Sequence, residues 1–572
     1  MDTSDEPAKQ GFDFGYRRAD FGGVSVWVPN AFADRISAYK EADAKGGELT
    51  PDHQLTDGKP AEPCDQAFPG LGLRAGVVPV PKSPLRADAP GHPQHEGLAA
   101  AMTEVLAKYP IRLCTPCVLP EVEDLLHAGL PELSVSVDSL GSHLTRTGPV
   151  GNVAAVAARV RRAKGALVSV SGCTGANRLA MAAVARMFPD RPIAIPMNAH
   201  HSVLNSAQAC GVPVIFIGSQ RVEAAFEAIL PPSPLAIATV LVAYPEIAAV
   251  WVTSPSYEGV VANVPAIAEV VHHGDSQRLL VVDQAWGAHL GFSSITARSA
   301  VEHADLVTES THKLGGAPNQ AGLLLWNGDR VDTALLHAIY RAEVTTSPSF
   351  PLLAAIELAL ATLASPSGRA RIRHAAAMAA KLAYQLRALS LSVLDSDRAG
   401  FPLDPLKVTV STDGIGLTGY ELAAQLTTSG IVVERAGLRS VVMIVNYAIG
   451  TSDIDRIVSA FRDASVCPGR ADDHLIPPWN GHLNGGIVDL VTATRRGDVS
   501  LVPIENSVGM IACELVECYP PGIAVLVPGM PISKSAVDYL VAVSRAGGHV
   551  IGSQRSAAAV LAAPSLVRQA LS

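Results

Sequence analysis

The segment LLVVDQAWGAH, residues 279–289, places four consecutive aliphatic residues directly before an aspartate. A short apolar run with no polar alternation predicts a strand covered on both faces, as in a parallel sheet with helices on either side. Similar runs recur around it: ALVSVS (166–171), PIAIPM (192–197), PVIFIG (213–218), AVWVTS (249–254), DLVTES (305–310) and GLLLW (322–326). Between them lie mostly Ala-rich stretches with helical periodicity, such as GANRLAMAAVARMF and VPAIAEVVHH. The alternation predicts an α/β fold built on a mostly parallel sheet. In such sheets ligands collect beyond the carboxyl ends of the strands.

Downstream, FPLLAAIELALATLA and RIRHAAAMAAKLAYQLRAL read as helices, and PLKVTVST and VVMIVNYAIG as strands of a smaller α+β unit. Four regions are expected: an N-terminal extension or arm over 1–95, a large domain over 96–365, a small α+β domain over 366–466 and a C-terminal domain over 467–572. Within the first, PVPKSPLRADAPGHP has the composition of a linker. The helical stretch HEGLAAAMTEVLAKYP opens the second; ADDHLIPPWN and the turn-rich YPPGIAVLVPGMPIS belong to the last.

The 572 residues are 17% charged and 48% hydrophobic, which suits a globular protein and not a disordered one. A formal charge of −9 offers no basic surface for gripping phosphate backbones, so nucleic acid is not an expected partner. The start, MDTSDEPAKQ, lacks the basic and apolar stretches of a secretory signal, and no apolar run is long enough to span a bilayer. A cytoplasmic location is the expectation. The eight cysteines are scattered; Cys114 and Cys117 form a CxxC whose sharp readings are a redox pair or half a zinc site. No second pair accompanies them, so two incidental loop thiols and no metal site are expected.

Four constellations follow separate strands. Ser171-Gly172-Cys173-Thr174-Gly175-Ala176-Asn177 opens a helix, where free N–H groups and a hydroxyl suit a phosphate, although such turns equally serve packing. Asp283 ends its strand; a buried carboxylate needs a partner such as a pyridinium nitrogen, the plainer alternative being a helix N-cap. Ser310-Thr311-His312-Lys313 carries a lysine that could form an imine with an aldehyde, with Ser310 and His312 as further phosphate donors, although a loop lysine is commonly a solvated charge. His200, in Asn198-Ala199-His200-His201-Ser202, could stack on an aromatic ring or act as a structural histidine. The combination at one sheet edge points to a single site.

These segments resemble the Orn/Lys/Arg decarboxylases, pyridoxal-phosphate (PLP) enzymes of the aspartate-aminotransferase-like fold. The resemblance runs in order through SGCTGAN, NAHHSVLNSAQACGVPVIFI, TSPSYEGVVANVPAIAEVVH, VVDQAWGAHLGF, STHK, TTSPSF, LDPLKVTV, GIGLTGYELA and YPPGIAVLVPG. It implies Lys313 as the Schiff-base lysine, Asp283 as partner of the ring nitrogen and His200 as the stacking histidine. Thr174, Gly175, Ala176, Ser310 and His312 would cradle the phosphate, and Ala285 would lie against the ring. The implied reaction is decarboxylation of ornithine, lysine, arginine or a modified relative to an amine, with His312 or Lys313 returning the proton. A homodimer or higher homo-oligomer is the implied assembly.

Two peripheral motifs depart from the family's pattern. Its PGHKGG-like segment is replaced by Thr115-Pro116-Cys117-Val118-Leu119-Pro120, and its PGE reads Pro528-Gly529-Met530. Transamination or oxidative deamination is therefore the alternative chemistry, and a catalytically silent homologue the alternative of a different class. No acidic partner for a basic substrate is identifiable from the sequence.

Overall fold

The computed structural model describes residues 108–127, 140–464 apart from 219 and 276, 490 and 499–552, with short strands at Tyr16–Phe21, Val24–Pro29, Glu48–Leu49, Leu55–Thr56, Ile487–Val488 and Ala557–Leu561. Most of the expected 1–95 extension, the helical stretch before Lys108 and the ADDHLIPPWN segment lie outside the described residues.

The expected strands form in place: β1 (Gly165–Ser169), β2 (Ile193–Pro196), β3 (Val214–Ile217), β4 (Ala249–Thr253), β5 (Leu279–Asp283), β6 (Leu306–Glu309) and β7 (Gly322–Trp326). Further on come β8 (Lys407–Ser411), β9 (Ser440–Ile444) and β10 (Ile487–Val488). The large sheet has the order β10-β3-β2-β4-β5-β6-β7-β1. The pairs from β3 through β6 are parallel, whereas β7 runs antiparallel to both β6 and β1, and β10 antiparallel to β3. The mostly parallel sheet is thus confirmed, with two reversed strands.

The uninterrupted apolar run of β5 has a simple cause. Leu280 and Val282 enter one core while Leu279 and Val281 enter the other, and Val250 and Val252 divide from Ala249 and Trp251 in the same way along β4. With helices on both faces, neither alternating set can be polar. Helix α1 (Gly148–Arg161) and the apolar α4 (Phe350–Ala364) pack in the first core. Helix α2 (Gly172–Met187), rich in the good helix formers Ala, Leu and Met, packs in the second.

The smaller sheet pairs β8 with β9 antiparallel, and its core includes the C-terminal half of α5 (Pro366–Ala388). Ile111–Leu113 pairs in parallel with Ile431–Val433 and packs in this core, so the chain visits the small unit before entering the large sheet. A further core gathers Val516, Cys518, Leu526 and the helix Lys534–Arg545. Among the described residues no single helix is long and apolar enough to cross a membrane.

Candidate active site

A cavity of about 490 Å³ lies at the carboxyl ends of the parallel strands. Thr174, His200, Asp283, Ala285, Ser310, His312 and Lys313 all line it, so separate strands bring seven of the expected site residues together.

Asp283 is buried at the end of β5. Its Oδ2 accepts from Asn177 Nδ2 at 3.0 Å and its Oδ1 from the Ala285 N–H at 3.0 Å, with the Cys173 thiol 3.5 Å from Oδ1. Asn177 is oriented in turn by Thr308, whose hydroxyl donates to Asn177 Oδ1 at 2.8 Å. No helix begins after Asp283, so the N-cap alternative is set aside; the contact to Ala285 is a local turn. The hydrogen bonds to this carboxylate come from neutral groups, which leaves it fit to face a cationic ring nitrogen.

Lys313 is partly buried at the cavity wall, with its Nζ 3.6 Å from the centre of the Trp286 ring. Burial lowers its pKa, against the opposing fields of Asp283, Cys173 and Glu434. It is therefore no solvated loop charge. The replaced segment 115–120 seats directly on its turn: the Cys117 N–H donates to the Lys313 carbonyl at 3.1 Å and the Leu119 N–H to the Gly316 carbonyl at 3.0 Å. Cys114 and Cys117 are free thiols whose pKa values burial pushes up, the opposite of a reactive pair. No cluster of metal-ligating side chains occurs among the described residues.

His200 caps α3 (His201–Cys210), its Nδ1 accepting the Ser202 N–H at 3.2 Å. Burial, then His201 and Lys313, lower its pKa well below the ordinary value, so it presents a neutral ring. That ring has room because Gly522 lacks a side chain: a Cβ there would stand 3.1 Å from His200 Nε2, at φ +76°. The Gly522 carbonyl also accepts the His201 N–H at 2.9 Å, and Tyr519, Pro521 and Ile523 line the cavity. The YPPGI segment is thus part of the site, a role that sequence reasoning did not assign.

Three residues expected in the phosphate cradle are placed in ways that do not turn a free donor toward the cavity. The Gly175 N–H donates to the Ser171 carbonyl at 3.1 Å, and Ala176 is wholly buried in the core; neither lines the cavity. The helix start instead offers the N–H groups of Cys173 and Thr174, the Gly172 N–H being taken by the Gln320 carbonyl at 2.8 Å. His312 places Nδ1 2.8 Å from the Ala321 carbonyl, and burial brings its pKa down to about 4. With its proton on Nδ1, the neutral ring turns an acceptor, not a donor, toward the cavity. Gly172, at φ +62°, lets this ring approach, since a Cβ would lie 3.2 Å from His312 Cε1.

The sequence matches two domains of one family: residues 124–396 match the Orn/Lys/Arg decarboxylase major domain and residues 488–556 its C-terminal domain. The chain belongs to the Orn/Lys/Arg decarboxylase family. It is 27% identical over 497 residues to an arginine decarboxylase of Halalkalibacterium halodurans, covering 84% of this chain and 94% of that one. It is 25% identical over 527 residues to the lysine decarboxylase LdcA of Pseudomonas aeruginosa, covering 72% and 69%. The solved lysine decarboxylase LdcF of Francisella novicida shares its fold, with a TM-score of 0.62 at 20% identity over 77% of this chain and 76% of that one. PLP dependence is the chemistry that Orn/Lys/Arg decarboxylase membership implies. The cavity fits that cofactor in three respects: a buried carboxylate held by neutral donors, a neutral imidazole kept clear by Gly522, and a helix start with unused N–H groups.

Proposed function

We propose that the chain is a PLP-dependent decarboxylase of a basic amino acid and that Lys313 is its cofactor-carrying lysine. The observation that carries this reading is that Lys313, Asp283 and His200 line one cavity. When bound, PLP supplies a sink for the electron pair left as the substrate carboxylate departs as carbon dioxide.

The chain's own groups have distinct tasks. Asp283, fixed by Asn177, would hold the ring nitrogen, with His200 on one ring face and Ala285 beside it. Thr174, Ser310 and the N–H groups of Cys173 and Thr174 would hold the phosphate. Lys313, whose amine loses its proton more readily than an exposed lysine, is the assigned proton donor to the product carbon. His312 is too weak a base to arrive charged. A cationic substrate side chain would find Glu258, a buried carboxylate in the cavity wall that receives Ser256 Oγ at 3.0 Å and stands 3.6 Å from Arg435. A homodimer is the assembly proposed with this reading, on the resemblance alone.

The test is carbon dioxide release by PLP-loaded protein given arginine, lysine and ornithine separately. One of them should yield carbon dioxide and its amine in equal amounts, and Glu258→Gln should raise KM more than it lowers kcat. Keto-acid formation or oxygen consumption without amine would move the protein to another PLP reaction.

A further inference from the structure

Lys407, on β8, is a second buried lysine beside the site. Its Nζ stands 3.8 Å from the centre of the same Trp286 ring that Lys313 approaches to 3.6 Å. The two Nζ atoms are therefore separated by no more than the sum of those distances, 7.4 Å. Lys407 is held there by the carbonyls of Ser256, at 3.2 Å, and Tyr257, at 2.5 Å. Gly259, at φ +97°, makes the room, since a Cβ would meet Lys407 Cβ and Cδ at 3.1 Å. Nothing in the proposed reaction uses this amine.

We propose that Lys407 is a positioning residue, coupled to Lys313 across the Trp286 ring, so that the two neighbouring amines resist being charged together and Lys313 spends more of its time in its uncharged, nucleophilic form. Two ammonium groups this close in a partly desolvated site repel each other enough to change an equilibrium by about tenfold. The pair then gives up its first proton near neutrality as a unit. Burial, and then the Lys313 charge, bring Lys407 down to about 7 against the fields of Asp404, Glu258 and Glu434. Lys313 is opposed by Asp283, Cys173 and Glu434. His289, 3.0 Å from Asp404 Oδ1, anchors the carboxylate on the Lys407 side. The ring of Trp286 also meets Tyr257, whose hydroxyl donates to Glu434 at 2.8 Å.

This inference rests on Lys313 as the reactive amine, and its test is separate from turnover. Cofactor-free protein is labelled at a series of pH values with trace acetic anhydride, and modification of Lys313 is quantified by mass spectrometry. Lys407→Gln keeps donors for the two carbonyls without charge, whereas Lys407→Arg keeps the charge at every pH. At pH 7, Lys313 should be labelled about tenfold faster in Lys407→Arg than in Lys407→Gln, with wild type between them. Equal labelling in the two variants overturns the proposal. If one variant does not fold, the other is read against wild type: Arg must raise labelling above pH 7, or Gln must lower it at pH 6, and no change in either case is contrary to it. Failure of wild-type protein to bind PLP would instead strike at the decarboxylase reading.

Discussion

Asn177 donates from Nδ2 to Asp283 Oδ2 at 3.0 Å, and the Thr308 hydroxyl fixes its other end at 2.8 Å. The second turn of α2, the end of β5 and the body of β6 are thereby tied into one network beneath the cavity. A charge-assisted hydrogen bond of this kind is worth roughly 1.5–3 kcal/mol.

Asn177→Ala is accordingly expected to weaken PLP retention by roughly tenfold to a hundredfold, the change in equilibrium to which such a bond energy corresponds. Titration of the cofactor's visible absorbance with added PLP checks this. Thr308→Val should have a smaller effect in the same direction, because it removes only the group that orients Asn177.

Gly522→Ala should damage the site more than the fold. The new methyl group would face His200 Nε2 at 3.1 Å from a backbone at positive φ, so ring and turn must both shift. The expected outcome is a fall in PLP affinity and in kcat, with loss of stability on the order of 1–2 kcal/mol by thermal melting. Gly509→Ala, also at positive φ but with nothing within 4 Å of the added Cβ, is the control and should spare activity.

The pH dependence of stability has a definite sign. His312 has its pKa reduced from 6.5 to about 4 by burial, so between these values the unfolded chain binds the proton and the folded chain does not. Stability therefore falls as the cofactor-free protein is taken from pH 6.5 toward 4, by up to about 3 kcal/mol from this residue. His200 acts in the same direction. His312→Gln should flatten the curve of Tm against pH in that window; an unchanged curve would remove His312 from the account.

Arg161 and Glu309 form a buried ion pair on the core side of β6, with Gln284 donating to the same carboxylate oxygen. Glu309→Leu should cost roughly 3–5 kcal/mol by leaving Arg161 buried without its partner. Denaturant unfolding measures it, and the double variant Arg161→Met with Glu309→Leu should recover most of the loss.

The central strands were legible because burial on both sheet faces leaves a chemical trace, as in Leu279 through Val282. The direction of β7 was not: GLLLW is equally apolar whichever way it runs. The convergence of Lys313, Asp283 and His200 on one cavity was legible because each lies at or just past the carboxyl end of its strand and carries a distinctive neighbourhood. Gly522 beneath His200, and Lys407 beside Trp286, depend on contacts between residues far apart in the chain. No local pattern marks such contacts. That the Gly175 N–H is the first to close the helix, and so is not free, is a matter of one residue's register that the sequence does not mark.

The measurement closest to the central claim is borohydride reduction of the PLP-loaded protein followed by peptide mass spectrometry. The account predicts that the reduced cofactor is attached to Lys313 and that Lys313→Ala shows no attachment and no visible band. Cofactor found on Lys407 or another lysine, or a band retained in Lys313→Ala, would contradict it.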